Sequence, residues 1–461
     1  MCDKESHPAD KQAISEQRPG AQAAFQLAPA PDLVRYMFID FNSYFASVEQ
    51  YDDPSLIGKP VIVTPLDSEH SGAIAASYEA KRLGISRGTS TLEARKLCPA
   101  IAIRPARHDR YVELHLELMQ EINRHLPVTR VHSIDECVCK LSREEWFING
   151  AEAIARKVKA GIAARFGPAI RCSIGLAPSP MLAKLASDLK KPDGLTALPR
   201  SCLPDRLLDM PLRAIPGIGA GIEHRLRKAG VSDFASLWNL DPRHARKIWG
   251  SVAGERFLYG LHGHDLPIIP EPQEKRMIGH SRVLGGRDRQ LGRARIVARA
   301  LLLKAASRLR LCNLHTTGLH VRLKLYPGGS VGQDIPLRAT QNSWRLLHAL
   351  DTAWRDMMSG LRDHTVGSRP KLVTVYLYGL SSSPPDPDLF VPDTVDLRDA
   401  CEADMWRRID DLNRRYGTAK VMLASQSDLD LNYLGVKIAF SRIPDMAEFA
   451  DIGKVPSSRP P

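Results

Sequence analysis

The 461-residue chain contains no run approaching the roughly 18–20 apolar residues that a bilayer span requires, so no transmembrane helix is predicted. Residues 1–33 lack the apolar stretch of a secretory signal and carry acids and glutamines instead, the composition of a disordered leader on a protein that stays in the cytoplasm. The eight cysteines, at positions 2, 98, 137, 139, 172, 202, 312 and 401, form no CxxC pair and have no histidines at zinc spacing, which argues against both disulfides and structural zinc. Cys137 and Cys139 alternate within a predicted strand, where small buried thiols are expected rather than a redox pair. No internal repeat is present. What remains is ordinary for a folded chain, 43% hydrophobic and 25% charged, and its length suits about three to four domains of roughly 100–150 residues.

Acidic charge is scarce in one place. The net charge is +12, and from Lys275 to Ser382 there are 19 Lys and Arg against 5 Asp and Glu, so this segment alone carries the whole surplus. A concentrated positive field suits a protein that tracks a phosphate backbone, with RNA or an anionic membrane as alternatives. Within it, Leu319, Val321, Leu323 and Leu325 alternate with His320, Arg322 and Lys324, predicting a strand with one packed face and one basic face that contacts a nucleic-acid backbone.

Hydrophobic periodicity predicts strands at 34–41 and 60–65, and a helix beginning at 42–51. A small polar, helical insert follows over 77–97. The chain then returns through a helix near 111–125, a strand pair near 131–141, a helix at 151–166 and a strand at 170–176. Mixed elements of this kind point to an α+β or α/β sheet domain. A glycine hairpin between helices is predicted at 215–221 and a Pro/Glu-rich linker at 268–276. The basic segment forms its own unit, with strands near 278–284, 318–326 and 372–378 and helices near 290–312 and 341–361.

Two acidic segments interrupt strongly apolar strand sequence, Phe38-Ile39-Asp40-Phe41-Asn42 and Ser133-Ile134-Asp135-Glu136-Cys137. A buried acid without a partner costs several kcal/mol, so these acids call for a metal, a base or a salt bridge. Phosphoryl transfer with two Mg²⁺ ions needs carboxylates converging on one point, because hard cations take oxygen ligands and neutralise the attacking and leaving oxygens.

Joined in order with Ser43-Tyr44-Phe45-Ala46-Ser47-Val48-Glu49, Ser77-Tyr78-Glu79-Ala80 and Gly84, Leu182-Ala183-Lys184, Lys191-Pro192-Asp193-Gly194 and Pro216-Gly217-Ile218-Gly219, these segments resemble the Y-family DNA polymerases. The resemblance runs from about residue 34 to 382 and is nearer the bacterial polymerase IV and V branches than the eukaryotic ones. It implies an α+β, multidomain right-hand architecture: palm at 34–43 and 108–198, fingers at 44–107, a thumb with a helix-hairpin-helix at 199–267, the linker, a little finger at 277–382 and a C-terminal extension at 383–461. The implied function is low-fidelity, template-directed synthesis across DNA lesions from dNTPs on primer-template DNA, with two Mg²⁺ ions and no exonuclease. By the same resemblance Asp40 and Asp135 bridge the metals, Glu136 holds the one at the primer 3′-hydroxyl, and the Phe41 carbonyl completes the nucleotide-side metal. Phe45 is the steric gate against a ribose 2′-hydroxyl, Tyr44 lies against the triphosphate with its backbone N–H available, and Tyr78, Lys81 and Lys191 contact triphosphate oxygens. Gly217 and Gly219 let backbone N–H groups approach a DNA phosphate, and Arg322 and Lys324 grip the duplex.

Departures from the family pattern are few. Lys81 stands where relatives usually have Arg, keeping the charge but losing the bidentate fork, with Arg82 beside it as a substitute. Ala75 replaces a hydroxyl residue and Lys140 a common aspartate. Pro387-Asp388-Leu389-Phe390 resembles the end of a sliding-clamp-binding peptide without its leading glutamine, so Leu389 and Phe390 are either clamp contacts or a linker anchor. Residues 405–416 form an amphipathic helix, and the tail somewhat resembles the extension of polymerase V, which implies mutagenesis-complex partners. Two further readings stand beside the polymerase: a non-catalytic accessory protein that binds DNA and clamp, which typically lacks the acidic ligands, and a basic nucleic-acid-binding module whose acids are structural.

Overall fold

The computed structural model describes residues 33–65, 71–267, 277–361, 369–382, 393–416 and 420–427, with positions 429 and 443. Its first unit is organised by a strand buried on both faces, β1 (Tyr36–Phe41). Met37, Ile39 and Phe41 enter one core; Tyr36 and Phe38 enter another on the opposite face, the period-two alternation of a central strand. After α1 (Tyr44–Asp52) comes a small lobe: β2 (Val61–Thr64), β3 (Ala75–Ala76), α2 (Tyr78–Arg82), α3 (Thr91–Leu97) and β4 (Ala102–Pro105), with strands in the order β3-β2-β4. Within 77–97 the elements are the helices α2 and α3, as predicted, and β2 falls inside the strand predicted at 60–65; the sequence reading omits β3 and β4, which at two and four residues are too short to show periodicity.

The chain returns through α4 (His108–Asn123), β5 (Val128–Ser133), β6 (Glu136–Lys140), α5 (Ile148–Phe166), β7 (Cys172–Ala177), α6 (Pro180–Leu189) and β8 (Leu195–Ala197). The five strands order as β5-β6-β1-β7-β8, antiparallel except for the parallel β7–β8 pair. Helices α4 and α5 cover one face through Leu114, Leu118, Val158 and Ile162. The other face takes α6 and the helices α7 (Ala220–Lys228), α8 (Phe234–Trp238), α9 (Pro242–Trp249) and α10 (Val252–Leu261). The described cysteines are free thiols; Cys137 and Cys139 are buried in the first core as expected, and Cys172 joins them there. Burial pushes the Cys172 thiol up to about 12.

The basic unit is a second α+β layer: β9 (Met277–Val283), α11 (Leu291–Leu311), β10 (His315–Tyr326), β11 (Ser330–Thr340), α12 (Ser343–Leu361) and β12 (Arg369–Ser381), with antiparallel strands ordered β11-β10-β12-β9. Leu319, Val321, Leu323 and Leu325 pack under α11 and α12, while Arg322 and Lys324 are exposed on the opposite face. The sequence reading omitted β11, whose Gly332 and Pro336 weaken a strand signal. A further helix, α13 (Asp393–Tyr416), extends well upstream of the predicted 405–416 and packs on this unit. No helix among the described residues is long and apolar enough to cross a membrane. The linker 268–276, residues 1–32, and Leu389 and Phe390 lie outside the described residues.

Candidate active site

Strand pleating brings the acids together. On β1, Asp40 continues the face of Tyr36 and Phe38, and on β6, Glu136 continues that of Val138; the antiparallel register sets Asp40 directly opposite Glu136. Asp135 sits in the tight turn between β5 and β6, its carbonyl accepting the Phe41 N–H at 2.8 Å and its carboxylate held by the Ser133 hydroxyl at 2.5 Å. Burial raises the Asp135 carboxyl above its ordinary value, aided by the Asp40 charge and opposed by the Ser133 hydrogen bond. Glu136 is likewise raised by burial, opposed by the hydrogen bond from Lys184.

Helix α6 supplies the counter-charge. Lys184 donates to Asp40 Oδ2 at 2.6 Å and Glu136 Oε1 at 2.5 Å. Lys191, just beyond the helix, reaches the same Asp40 oxygen at 2.6 Å and Asp188 at 2.7 Å. Burial alone would lower both ammonium groups, but the Asp40 charge and these hydrogen bonds raise them. Lys184 reaches the acids because α6 lies almost on the backbone of β7: a Cβ on Gly175 would stand 2.0 Å from the Ala183 carbonyl oxygen.

A third cation closes the group from the small lobe. Lys81 donates to Ser43 Oγ at 2.8 Å and lies 4.3 Å from the Tyr78 ring centre; burial first and the Lys191 charge second lower its ammonium. Arg82 points away from the group, its side chain 74% exposed and paired with Glu79 at 3.9 Å. Ser43, at φ 47°, starts α1 without a side-chain cap, so backbone N–H groups of the first turn point where an anion is favoured. Tyr44 has its ring in the core, its hydroxyl donating to the Tyr111 carbonyl at 2.7 Å. Its backbone N–H belongs to that first turn of α1. Phe45 is half-buried and stacks on Tyr111 at 4.4 Å.

Sequence reasoning gave no role to three residues here. Lys184 enters the sequence reading only as part of a motif; a lone cation on a mostly apolar helix is its signal. Asn42 is buried and accepts the Asp193 N–H at 2.6 Å while donating to Ser173 Oγ at 3.0 Å, fixing the turn that carries Lys191. Lys159 braces the same turn from α5, donating to the Cys172 and Asp193 carbonyls at 2.6 and 3.0 Å. Neither leaves a readable signal, because their partners lie more than ten residues away and several of them are backbone groups.

Lys140 owes its place to a partner outside the acidic cluster. With Tyr36 and Arg35 it engages Asp265, which lies after α10. Gly217 and Gly219 lie apart from the acids, at the start of α7. Gly217 has φ 95°, a conformation that favours glycine, and Gly219 has open space where a Cβ would project. Arg322 and Lys324 lie in the four-stranded sheet of the basic unit; Arg322 donates to Ser330 at 2.9 Å.

The carboxylates are grouped but not yet a complete ion cage. Among the described residues, no three His, Cys, Asp or Glu side chains are arranged to hold a metal ion, because Asp40 and Glu136 turn onto lysine ammonium groups. The donor types nevertheless fit a hard divalent cation: acidic oxygens at the meeting of adjacent strands, with Asp135 and Glu136 both raised by burial first and by the Asp40 charge besides.

Residues 39–188 match the impB/mucB/samB family model. The DNA polymerase IV of Moorella thermoacetica is 32% identical over 397 residues, spanning 83% of this chain and 93% of the relative. The chain belongs to the Y family of DNA polymerases. A second family member, the DNA polymerase IV of Halorhodospira halophila, is 30% identical over 364 residues and is covered over 98% of its length. Among solved structures, a Y-family DNA polymerase chimera superposes with a TM-score of 0.63 at 22% identity, covering 76% of this chain and 99% of the chimera, and so shares the fold. As a Y-family member this is a DNA-directed DNA polymerase of palm, fingers and thumb architecture.

Proposed function

We propose that the chain is a low-fidelity, template-directed polymerase that bypasses DNA lesions by two-metal nucleotidyl transfer. The observation that carries this reading is the meeting, around the end of β1 and the β5–β6 turn, of three acids (Asp40, Asp135 and Glu136) with three lysines (Lys81, Lys184 and Lys191). Acids alone would suit a metal and lysines alone an anion; together they suit a metal-bound triphosphate. In this reading Asp40 and Asp135 would hold the Mg²⁺ ions, with Glu136 as a ligand on the primer side and the Phe41 carbonyl on the nucleotide side. When bound, the ions supply Lewis acidity at the primer 3′-hydroxyl and neutralise charge on the departing pyrophosphate.

The remaining residues bind and orient. Lys81, Lys191 and Tyr78 take triphosphate oxygens, and the uncapped first turn of α1, including the Tyr44 N–H, adds backbone donors. Phe45 excludes a ribose 2′-hydroxyl. Asn42 and Lys159 keep Lys191 aimed at the site.

We assign palm to 34–43 and 108–198, fingers to 44–107, thumb to 199–267, linker to 268–276 and little finger to 277–382, with a partner-binding extension at 383–461. Gly217 and Gly219 contact the phosphate backbone of primer-template DNA through the start of α7, and Arg322 and Lys324 do so through the exposed sheet face, so DNA affinity is steeply salt-dependent. The protein acts in the cytoplasm, and Leu389 and Phe390 are candidate sliding-clamp contacts.

Primer extension on undamaged and abasic templates with Mg²⁺ and dNTPs tests the reading, comparing the wild type with the Asp135→Ala/Glu136→Ala double variant. Extension by the wild type alone, with low processivity, is the expected outcome. Binding of primer-template DNA by both proteins with extension by neither would sink it in favour of a non-catalytic accessory protein.

A further inference from the structure

Phe45 does not stand alone. Its ring lies against that of Tyr111 from α4, with centres 4.4 Å apart and planes 16° from parallel. Tyr111 is completely buried. Its hydroxyl donates to Glu49 Oε1 at 2.8 Å, and Glu49, itself buried, receives two hydrogen bonds from Arg107 at 3.1 and 2.8 Å. Arg107 also pairs with Asp52 at 2.8 Å. Glu49 and Asp52 lie on α1, the helix that carries Phe45, whereas Tyr111 and Arg107 belong to α4 and its N-cap. The two helices are thus clamped together immediately behind the Phe45 ring.

We infer that Tyr111 is a positioning residue for sugar selection, a rigid backstop that keeps the Phe45 ring from receding before a ribose 2′-hydroxyl. The inference rests on the steric-gate reading of Phe45. A gate excludes a single hydroxyl only if it cannot yield by about an ångström, since a pocket that relaxes discriminates little against one added oxygen. A fully buried, hydrogen-bonded ring stacked face to face supplies that stiffness, and a flexible aliphatic chain would not. The Glu49–Arg107 pair fixes the ring by its hydroxyl, so a charged network outside the pocket helps set what the pocket admits.

The test measures kcat/KM for matched dNTP and rNTP insertion in the wild type, Phe45→Ala, Tyr111→Met and Tyr111→Phe. Phe45→Ala should relax sugar discrimination; if it does not, the steric-gate reading fails, and the backstop with it. Given that relaxation, Tyr111→Met should lower the dNTP preference about tenfold, chiefly by raising rNTP insertion while dNTP insertion stays close to wild type. Tyr111→Phe, which retains the stack, should keep most of the preference. An unchanged preference in folded Tyr111→Met, or an equal loss of dNTP and rNTP insertion, overturns the backstop and leaves Phe45 as gate. Should Tyr111→Met fail to fold, Arg107→Ala loosens the clamp from a half-exposed position: partial loss of discrimination supports the proposal, and full retention refutes it.

Discussion

Single side chains around the acids show how neutral groups serve a charged site. His115 of α4 is buried beneath the turn that carries Asp135 and makes a 2.7 Å hydrogen bond through Nδ1 to the Ile134 carbonyl. Because a carbonyl only accepts, Nδ1 carries the proton. Burial holds the imidazole below its ordinary 6.5, outweighing the Ile134 hydrogen bond that raises it. The folded state therefore binds a proton less readily than the unfolded chain. Its contribution to stability is complete above 6.5 and declines as pH falls from there towards the lower folded-state value, where the unfolded state gains protons that the folded state refuses. Melting temperatures taken from about pH 7.5 to pH 5.5 should fall more steeply for the wild type than for His115→Gln, which cannot charge. Parallel curves would show that His115 does not titrate on unfolding. In sequence this histidine was one polar residue in a helical pattern, and nothing near it revealed that its partner lies nineteen positions on.

At the scale of elements, much of the site was readable because strands write their own alternation. In β1 the two cores and the placement of Asp40 follow from which of Tyr36, Met37, Phe38 and Ile39 share a face, and the apolar run after Asp135 and Glu136 marks β6, which Glu136 opens and Asp135 precedes in the turn. The contribution of α6 was not readable, since its approach to β7 depends on what Gly175 lacks. A glycine inside a strand signals close backbone approach without naming the partner. Gly175→Ala would place a methyl group 2.0 Å from the Ala183 carbonyl oxygen and 2.4 Å from the Ser187 nitrogen, both of them backbone atoms. The helix must then move off the sheet, at a cost of about 3 kcal/mol. Lys184 moves with it, so polymerase activity should fall further than stability alone predicts. Denaturant unfolding combined with primer extension at a temperature where the variant remains folded checks both parts. A variant of wild-type stability would mean that α6 does not press on this strand.

In the whole molecule, charge located the second unit while its boundary escaped the sequence. The segment from Lys275 to Ser382 stood out by its surplus of 14 positive charges, and the basic face of β10 followed from alternation, but nothing in the sequence tied the helix at 405–416 to this unit. The described residues of α13 pack on it. Arg310 of α11, 7% exposed, donates to Asp410 of α13 at 2.7 and 3.2 Å and through its other arm to the Gln341 carbonyl and Ser343 hydroxyl. Trp344 meets Trp406 edge to face at 5.2 Å, and Asn342 donates to Glu402 at 2.7 Å. An arginine in an Arg-rich helix looks like one more DNA contact until its partner a hundred residues away is known. Breaking such a pair from one side leaves a charge buried and unsatisfied, a loss of about 3–5 kcal/mol, whereas replacing both charges with apolar side chains of similar size recovers much of it. In the full-length chain, Asp410→Ala should therefore speed amide exchange across α11, α12 and α13 and leave β1 and β7 unchanged, and Arg310→Met/Asp410→Leu should restore slow exchange. Exchange confined to α13 in the single variant would mean that the helix is an appendage; exchange spreading through α11 and α12 would mean that it is the last layer of the unit it covers.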